Sequence, residues 1–266
     1  MSTDAAISAL AQDAELRTWS LIVTIFGDLA RAPGAEIPGP VLSAITGRIG
    51  VKPEAMRVAL HRLRKDDWLT SRREGRVSHY LLTEAGRAES ETATGRIYAT
   101  RPATPERWHL LVAGPMDQAQ RLEQDGALAA RGYIAVAPGT WLGPGPAPAE
   151  VGAMLAFEGH PAAVPGWLRA ELMPPALETA YARFADSLEA AIAALGAAAV
   201  SPLDRAVLRV LIVHGWRRLV LRHPDLPEAF FPESWTGPRT RRLVHGLLDR
   251  LGKPSVAEVS ADLAEV

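Results

Sequence analysis

Apolar residues recur at helical spacing in the segment that follows Val51, and polar residues occupy the positions between them. Met56, Ala59, Leu60 and Leu63 fall on one face of a helix. Proline is well tolerated in a first helical turn, so Lys52-Pro53-Glu54 indicates the start of this helix, and Asp66-Asp67 indicates its end. The opposite face carries five basic residues: Arg57, His61, Arg62, Arg64 and Lys65.

Two short β-prone runs follow this basic helix, at 68–71 and 77–82. The polar segment 72–76 joins them, so the pattern predicts a hairpin whose turn carries Arg72, Arg73 and Arg76. Thr83 is placed to cap a further helix, which extends from Glu84 to Tyr98. A basic helix followed directly by an arginine-bearing hairpin is typical of a winged helix-turn-helix, which binds double-stranded DNA.

The segments before the basic helix supply the other elements that such a fold needs. A strongly apolar helix is predicted from residue 19 to about 31, where Ala32-Pro33-Gly34 interrupts it. A short helix over 41–46 follows Gly39-Pro40, and the turn 48–50 leads into the basic helix.

The distribution of charge supports a local polyanion-binding surface. The whole chain has a formal charge of −1. Residues 48–79 contain nine Lys/Arg and four Asp/Glu, a local charge of +5 that includes Lys52, whereas residues 101–200 contain six Arg and ten acids, or −4. Such asymmetry indicates one basic patch. Charge alone does not exclude the alternative, which is an ordinary solvated helix beside a hairpin. The order of the elements, a basic helix followed by an arginine-bearing hairpin, favours DNA binding.

After residue 105 the pattern changes to a small α+β unit. Strands are predicted at 107–113, 133–137 and 151–157, with a helix at 117–131, which suggests a ferredoxin-like fold. We interpret Gly143-Pro144-Gly145 as a surface connection, because its proline removes a donor that a phosphate-binding loop needs. Helices are predicted at 176–195, 202–222, 227–231 and 237–251, and residues 253–266 are expected to fray.

The expected fold class is therefore α+β with three domains. These are a winged helix-turn-helix at 17–100, a ferredoxin-like middle domain at 105–174 and a helical C-terminal domain at 175–252. The 266 residues, of which 48% are hydrophobic, are enough for several cores. The lack of cysteine excludes disulfides and thiolate metal sites. No signal peptide and no long apolar stretch is present, so we expect a cytoplasmic protein without a membrane partner.

Sequence signals of catalysis are missing. The seven histidines include no pair at the spacing of a zinc hydrolase, and G-x-S-x-G, Walker and G-x-G-x-x-G motifs do not occur. We therefore expect no catalytic residue, no metal and no cofactor, and a protein that is not an enzyme.

Several of these segments together resemble the phenylacetic acid degradation repressors, the PaaX family of transcriptional regulators. The resemblance covers essentially the whole chain from Trp19, and these runs carry it: TWSLIVTIFGDLAR, PEAMRVALHRLRKDDWL, SRREGRVSHYLLTEAGR, RIYA and, at 214–237, HGWRRLVLRHPDLPEAFFPESWTG. It implies a repressor that binds an operator and that responds to phenylacetyl-CoA. We also expect a homodimer, because tight operators are usually read by two copies on related half-sites. The residues that bind this effector do not follow from the resemblance.

The last of these runs is also a candidate effector site on its own chemistry. A CoA thioester needs cations for its phosphates and an apolar pocket for its acyl group. The run brings together His214, Trp216, Arg217, Arg218, Arg222, His223 and Trp235. The alternative is that Trp216 and the Phe230-Phe231 pair are core residues, with the arginines solvated or paired to Asp225 and Glu228.

Three functions stay open on the sequence. The first is a winged-helix repressor that an aryl-acyl-CoA releases from DNA. The second is an acyl-CoA-thioester enzyme or binding protein with an accessory winged-helix module. The third is a winged-helix activator or architectural protein without a small-molecule effector.

Overall fold

The protein combines helices with two antiparallel sheets. The computed structural model describes residues 2–12, 16–101, 107–160, 162–197, 199–222 and 230–265. Within these ranges the chain forms eleven helices and seven strands. It divides into two compact units, of which unit 1 consists of Met1–Thr100, Ala176–Arg222 and Thr236–Val266, and unit 2 of Arg101–Pro175 and His223–Trp235.

The N-terminal part of unit 1 contains a three-stranded sheet among five helices. The elements are α1 (Thr3–Ala11), α2 (Thr18–Leu29), β1 (Glu36–Pro38), α3 (Gly39–Arg48), α4 (Pro53–Lys65), β2 (Leu69–Glu74), β3 (Val77–Leu82) and α5 (Glu84–Tyr98). The sheet is antiparallel in the order β1-β3-β2. The hydrophobic and polar pattern of the sequence predicted α2 to α5 and the hairpin but not α1 or β1. Helix α1 has only a short apolar stripe, and the Ser2 hydroxyl accepts from the Asp4 amide at its start (3.2 Å).

The C-terminal part of unit 1 contains four helices, α8 (Pro175–Leu195), α9 (Pro202–Val220), α10 (Gly237–Leu251) and α11 (Val256–Ala264). Residues 253–266 were expected to fray, but a capping box between Ser255 and Glu258 starts α11, and Val259 is fully buried. The helix predicted at 227–231 lies mostly outside the described residues. In the ranges that the structure describes, no helix is long and apolar enough to cross a membrane.

Helix α9 is the centre of unit 1. Nine consecutive residues, 206–214, are buried, which is the pattern of a helix surrounded on all sides. It packs against α1, α2 and α3 from the N-terminal segment and against α10 and α11 from the C-terminal segment. The sequence places a domain boundary between these two segments. The structure instead joins them in one unit, because α9 shares its core with both.

A buried ion pair connects the two segments. Arg209 of α9 donates from Nε and Nη2 to the two carboxylate oxygens of Asp28 in α2, at 2.9 Å each. The hydroxyl of Tyr98 in α5 also donates to Asp28 (2.8 Å), and the remaining Arg209 nitrogen donates to the carbonyls of Leu248 (3.0 Å) and Gly252 (3.2 Å). Burial and the Asp28 charge raise the pKa of Tyr98. Four helices therefore meet at one satisfied pair of charges.

Unit 2 is a four-stranded antiparallel sheet with helices. Its elements are β4 (Trp108–Val112), α6 (Gln118–Ala129), β5 (Ile134–Ala137), β6 (Thr140–Pro144), β7 (Leu155–Gly159) and α7 (Gly166–Leu172), and the strand order is β5-β6-β4-β7. Leu111, Leu128 and Trp141 form the centre of its core, and the Trp141 indole donates to Asp125 (2.7 Å). The unit needs no contribution from elsewhere to bury these side chains.

Strand β6 was missed because its Gly and Pro residues are typical of loops. The interpretation of Gly143 as part of a surface connection was wrong: it is buried in β6 and pairs with His109. A Cβ at Gly143 would lie 2.4 Å from the Tyr133 ring and 2.6 Å from the His109 ring. Glycine is present because these two rings, joined by a 3.0 Å hydrogen bond, pass directly over the strand.

The buried pair predicts a large difference between two arginines of α9. Arg209→Ala leaves the Asp28 carboxylate buried without its cation and is expected to lower the free energy of unfolding of unit 1 by about 3–5 kcal/mol. Arg205, whose pair with Glu258 is partly exposed at 3.4 Å, is the matched control, and Arg205→Ala is expected to cost about 1 kcal/mol or less. Urea unfolding followed by helical circular dichroism measures both. Equal losses would contradict a structural role for the pair.

Candidate nucleic-acid interface

Helix α4 presents one polar face because its apolar face is fixed in the core. Met56, Ala59, Leu60 and Leu63 are buried, as the spacing predicts. The turn before the helix is held by a hydrogen bond from the Val51 amide to the Thr46 carbonyl (2.9 Å). Gly50 in this turn has a φ of +94°, which favours glycine. The two helices α3 and α4 and the turn between them are therefore held by local packing.

The outer face of α4 carries all the basic residues that the sequence assigned to it. Arg57 pairs with Glu54 (2.9 Å), and Arg62 pairs with Asp66 (3.5 Å) and lies over the Trp19 ring (5.9 Å). All of these charged side chains stay more than half exposed. Four further basic side chains are exposed and make no ion pair or hydrogen bond with the described part of the chain: Lys52, His61, Arg64 and Lys65.

The hairpin places its three arginines differently from the prediction. The turn contains only Gly75 and Arg76, since Glu74 already pairs with Val77 across the strands. Arg72 lies on β2 and donates to both carboxylate oxygens of Glu36 (2.7 and 2.6 Å) and to Glu74 (2.9 Å). Arg73 donates to the Gly75 carbonyl (3.2 Å). Arg76 is exposed at the tip of the hairpin.

Electrostatic pairing makes Arg72 the least available of these arginines. The guanidinium holds the pKa of Glu36 below its ordinary value, and the two carboxylates raise the pKa of Arg72. His79 Nδ1 is also 2.9 Å from Glu36. Because the Arg72 charge is matched by neighbouring acids, Arg73 and Arg76 contribute more of the net positive charge of the hairpin.

Sequence reasoning missed Val58 on the same face of α4. Its side chain is 69% exposed, which is unusual for an aliphatic residue, and it lies between Arg57 and His61 in the helix. The sequence did contain a sign of this exposure, because Val58 falls outside the helical stripe of Met56, Ala59, Leu60 and Leu63. An aliphatic side chain on such a surface is suited to contact the methyl group of thymine.

Trp68 connects α4, the hairpin and α5. Its amide donates to the Leu63 carbonyl (2.8 Å), and its carbonyl accepts from the Thr83 amide (3.2 Å). Its indole donates to Glu89 of α5 (3.1 Å). Helix α5 approaches so closely that a Cβ at Gly86 would lie 2.2 Å from the Trp68 carbonyl oxygen. A displacement of α5 would therefore act directly on the junction between the basic helix and the hairpin.

Two of the candidate effector residues are core residues. His214 is fully buried, with Nδ1 3.2 Å from the Thr24 hydroxyl. Trp216 is buried, donates to the Ile97 carbonyl (2.9 Å) and packs edge-on against Tyr181. Both side chains hold α9 against its neighbours, and the alternative stated above had placed Trp216 in the core.

The other candidates do not form one site. Arg217 lines a cleft of about 460 Å³ together with Thr24 and Tyr98. Arg218 and Arg222 line a different, smaller cavity of about 120 Å³ beside Phe184. Trp235 belongs to unit 2, where it stacks on Phe231 with ring centroids 4.8 Å apart. His223, Asp225 and Glu228 lie outside the described residues.

Metal binding has no support in the described ranges, where no group of three His, Asp or Glu side chains is placed to hold an ion. The outer face of α4 instead offers exposed basic side chains beside the aliphatic side chain of Val58.

Comparisons with known proteins match both ends of the chain. The sequence family described as PaaX-like protein matches residues 17–86, and the family described as PaaX-like protein C-terminal domain matches residues 174–261. The Transcriptional repressor PaaX of Escherichia coli (strain K12) is 29% identical over 260 residues, which cover 91% of this chain and 82% of that protein. Among solved structures, an uncharacterized protein from Mycobacterium tuberculosis has a TM-score of 0.56 at 20% identity, covering 94% of this chain and all of that one, a likeness of fold alone.

Proposed function

This chain belongs to the PaaX family, and we propose that it is a DNA-binding transcriptional repressor rather than an enzyme. The observation that supports DNA binding most strongly is the outer face of α4, where exposed basic side chains surround Val58 next to an arginine-bearing hairpin. Most of these basic side chains make no ion pair with a carboxylate of the described residues. They are therefore available to phosphates and base edges.

We propose that α2 to β3 form a winged helix-turn-helix in which α4 enters the major groove. Arg57, His61 and Val58 lie on the exposed face, and they read base edges: the arginine suits guanine and the aliphatic side chain suits thymine. Lys52, Arg62, Arg64 and Lys65 contact phosphates, which fix the register of the helix. The hairpin of β2 and β3 is the wing, and its Arg73 and Arg76 contact the adjacent minor groove or the phosphates beside it. Arg72 acts mainly by holding β2 to β1 through Glu36.

Operator titrations by gel shift separate these roles. Arg57→Ala or His61→Ala is expected to weaken operator binding by about 1–3 kcal/mol and to reduce the preference for operator over unrelated DNA. Arg73→Ala is expected to weaken binding to all sequences alike and to reduce the dependence on salt concentration by about one unit of slope. Arg250→Ala, on α10, is a control that should change neither. Unchanged operator affinity of Arg57→Ala would show that the reading face is assigned wrongly.

We further propose that the repressor acts as a homodimer, because tight operators are usually read by two copies on related half-sites. Unit 2, which we take to be ferredoxin-like, offers an apolar surface for this. Leu155 and Phe157 of the edge strand β7 are each 66% exposed, and Trp167 of α7 is 60% exposed. Large apolar side chains grouped at the open edge of a sheet favour association with another chain.

Light scattering of the full chain at micromolar concentration tests the dimer. Phe157→Asp is expected to shift a dimer toward monomer, because it places a charge in the apolar contact. Leu122→Asp, at a 64% exposed position of α6 in the same unit, is the matched control and should leave the mass unchanged. A wild-type protein that is only monomeric, with a footprint over a single half-site, would refute the dimer.

The effector that we propose is an aryl-acyl-CoA, in keeping with a role in the control of phenylacetate catabolism. The Escherichia coli relative supports a repressor, and the choice of phenylacetyl-CoA rests on the family resemblance of the sequence. For release from DNA, the ligand must bind the DNA-incompetent state more tightly than the DNA-bound state, typically by about 1–3 kcal/mol.

Phenylacetyl-CoA is therefore expected to dissociate the operator complex, and free phenylacetate and free CoA are not. The free acid offers only one charge and a small apolar area, and free CoA lacks the aryl group. A gel-shift titration with each compound at fixed protein and DNA measures the difference. Dissociation by phenylacetate and phenylacetyl-CoA at the same concentration would contradict a thioester effector.

A further inference from the structure

A cleft in unit 1 lies beside Trp68, three residues after the basic helix ends. It has a volume of about 460 Å³, and its walls are formed by α2, α5 and α9. Trp68, the residue that connects α4 to the hairpin, also lines the cleft. The volume lies within the usual range of small-molecule sites. All the residues that line it belong to unit 1.

Arg217 gives this cleft a partly buried cation, and the charge of Glu89 only partly offsets the effect of burial on its pKa. The guanidinium donates to the Thr24 hydroxyl (3.2 Å) and makes no ion pair within the described part of the chain. Burial lowers the pKa of Arg217, which reflects the cost of removing its charge from water. Glu89 also lines the cleft, but it accepts the Trp68 indole and its side chain is mainly exposed. A partly buried guanidinium that makes no ion pair would be stabilised by a hydrogen bond to an oxygen atom of a ligand.

The rest of the lining is mostly apolar or aromatic. Val23, Ile97, Val213 and Leu221 provide aliphatic surface, and Trp68 and Tyr98 provide rings. Arg96, Ser90, Thr92 and Thr94 also line the cleft, and Arg96 donates to the Val220 carbonyl (2.6 Å). A cationic donor, Arg217, beside this apolar surface matches a ligand that has an aromatic body and an oxygen acceptor at one end. The cleft is too small to enclose a complete acyl-CoA, so the nucleotide portion of such a ligand would stay outside its mouth.

We propose that this cleft is the effector site and that it takes the aryl-acyl group of the ligand, with Arg217 donating to the acyl oxygen. The inference rests on the proposed function, in that it names the place where the effector acts. An aryl-acyl group can arrive as a thioester or as a free carboxylate, and both present the same oxygen to Arg217. Arg218 and Arg222, which line the other cavity, have no part in it.

The position of the cleft explains how a ligand changes DNA binding. A ligand there contacts α2, α5 and Trp68 at the same time. Gly86 of α5 packs against the Trp68 carbonyl with no room for another atom. A shift of α5 therefore moves Trp68, and because Trp68 lies between α4 and the hairpin, the angle between them changes. The two arrangements then differ in their affinity for the operator, and by linkage the operator lowers the affinity for the ligand by the same factor.

Calorimetry on the full-length protein tests the site with phenylacetyl-CoA, phenylacetate and free CoA as separate probes. Arg217→Gln removes the guanidinium and its charge, and Ala93→Phe fills the cleft from α5 without touching a charge. Each is expected to weaken phenylacetyl-CoA binding roughly ten- to hundredfold, the usual effect of losing a charged hydrogen bond or the binding space. Arg222→Gln, five residues further along, is the matched control and should bind as the wild type does. Thermal unfolding checks that each variant is folded, and Ala93→Phe carries the test if Arg217→Gln is not.

The outcomes separate the site from the identity of the effector. Equal affinity of all four proteins for phenylacetyl-CoA overturns the cleft and leaves the proposed effector standing. Binding of phenylacetate in place of the thioester, lost in Arg217→Gln and Ala93→Phe, supports the cleft and overturns the thioester. Loss of binding in Arg222→Gln but not in Arg217→Gln moves the site to the other cavity, and no binding of any probe overturns both proposals.

Discussion

The ion pair between Asp28 and Arg209 determines how unit 1 is assembled, because two buried charges are stable only when each satisfies the other. Asp28 belongs to the helix that supports the basic helix α4, and Arg209 to the central helix of the C-terminal segment. Tyr98 and two carbonyls near the end of α10 complete the coordination. Displacement of any of these helices would leave a charge or a hydroxyl without its partner.

In this arrangement the proposed DNA-reading helix α4 packs against α2, which also lines the proposed effector cleft. Within about two turns after Arg209, α9 carries His214 and Arg217, which both contact Thr24 of α2. The cleft beside Arg217 is closed by α5, which continues directly from the hairpin. Because the contacts run from α9 through α2 and α5 to Trp68, a small change at the cleft reaches the basic helix without a long pathway. The same packing that stabilises unit 1 would thus provide the coupling that the proposed regulation needs.

Local patterns predicted the basic helix, the hairpin and α5 well, and long-range contacts explain most of the errors. The apolar stripe of α4 and the bounds of α5 follow from short-range periodicity and capping. Asp28 and Arg209 are 181 residues apart, so no local pattern indicates that the first and last segments share a core. The candidate effector residues adjoin in sequence, but Arg217 and Arg218 are separated by about 100° around the helix and face different cavities. The pairing of Arg72 with Glu36 likewise depends on β1, which was not predicted.

Native-state hydrogen exchange of the full-length protein tests most directly whether the DNA-reading and C-terminal segments form one cooperative unit. The account predicts that the slowest amides of α2 and α9 exchange with the same opening free energy, and that Arg209→Ala lowers both values by the same amount. It would be contradicted if the amides of α2 exchanged through an opening that leaves α9 protected, or if Arg209→Ala changed only the protection of α9.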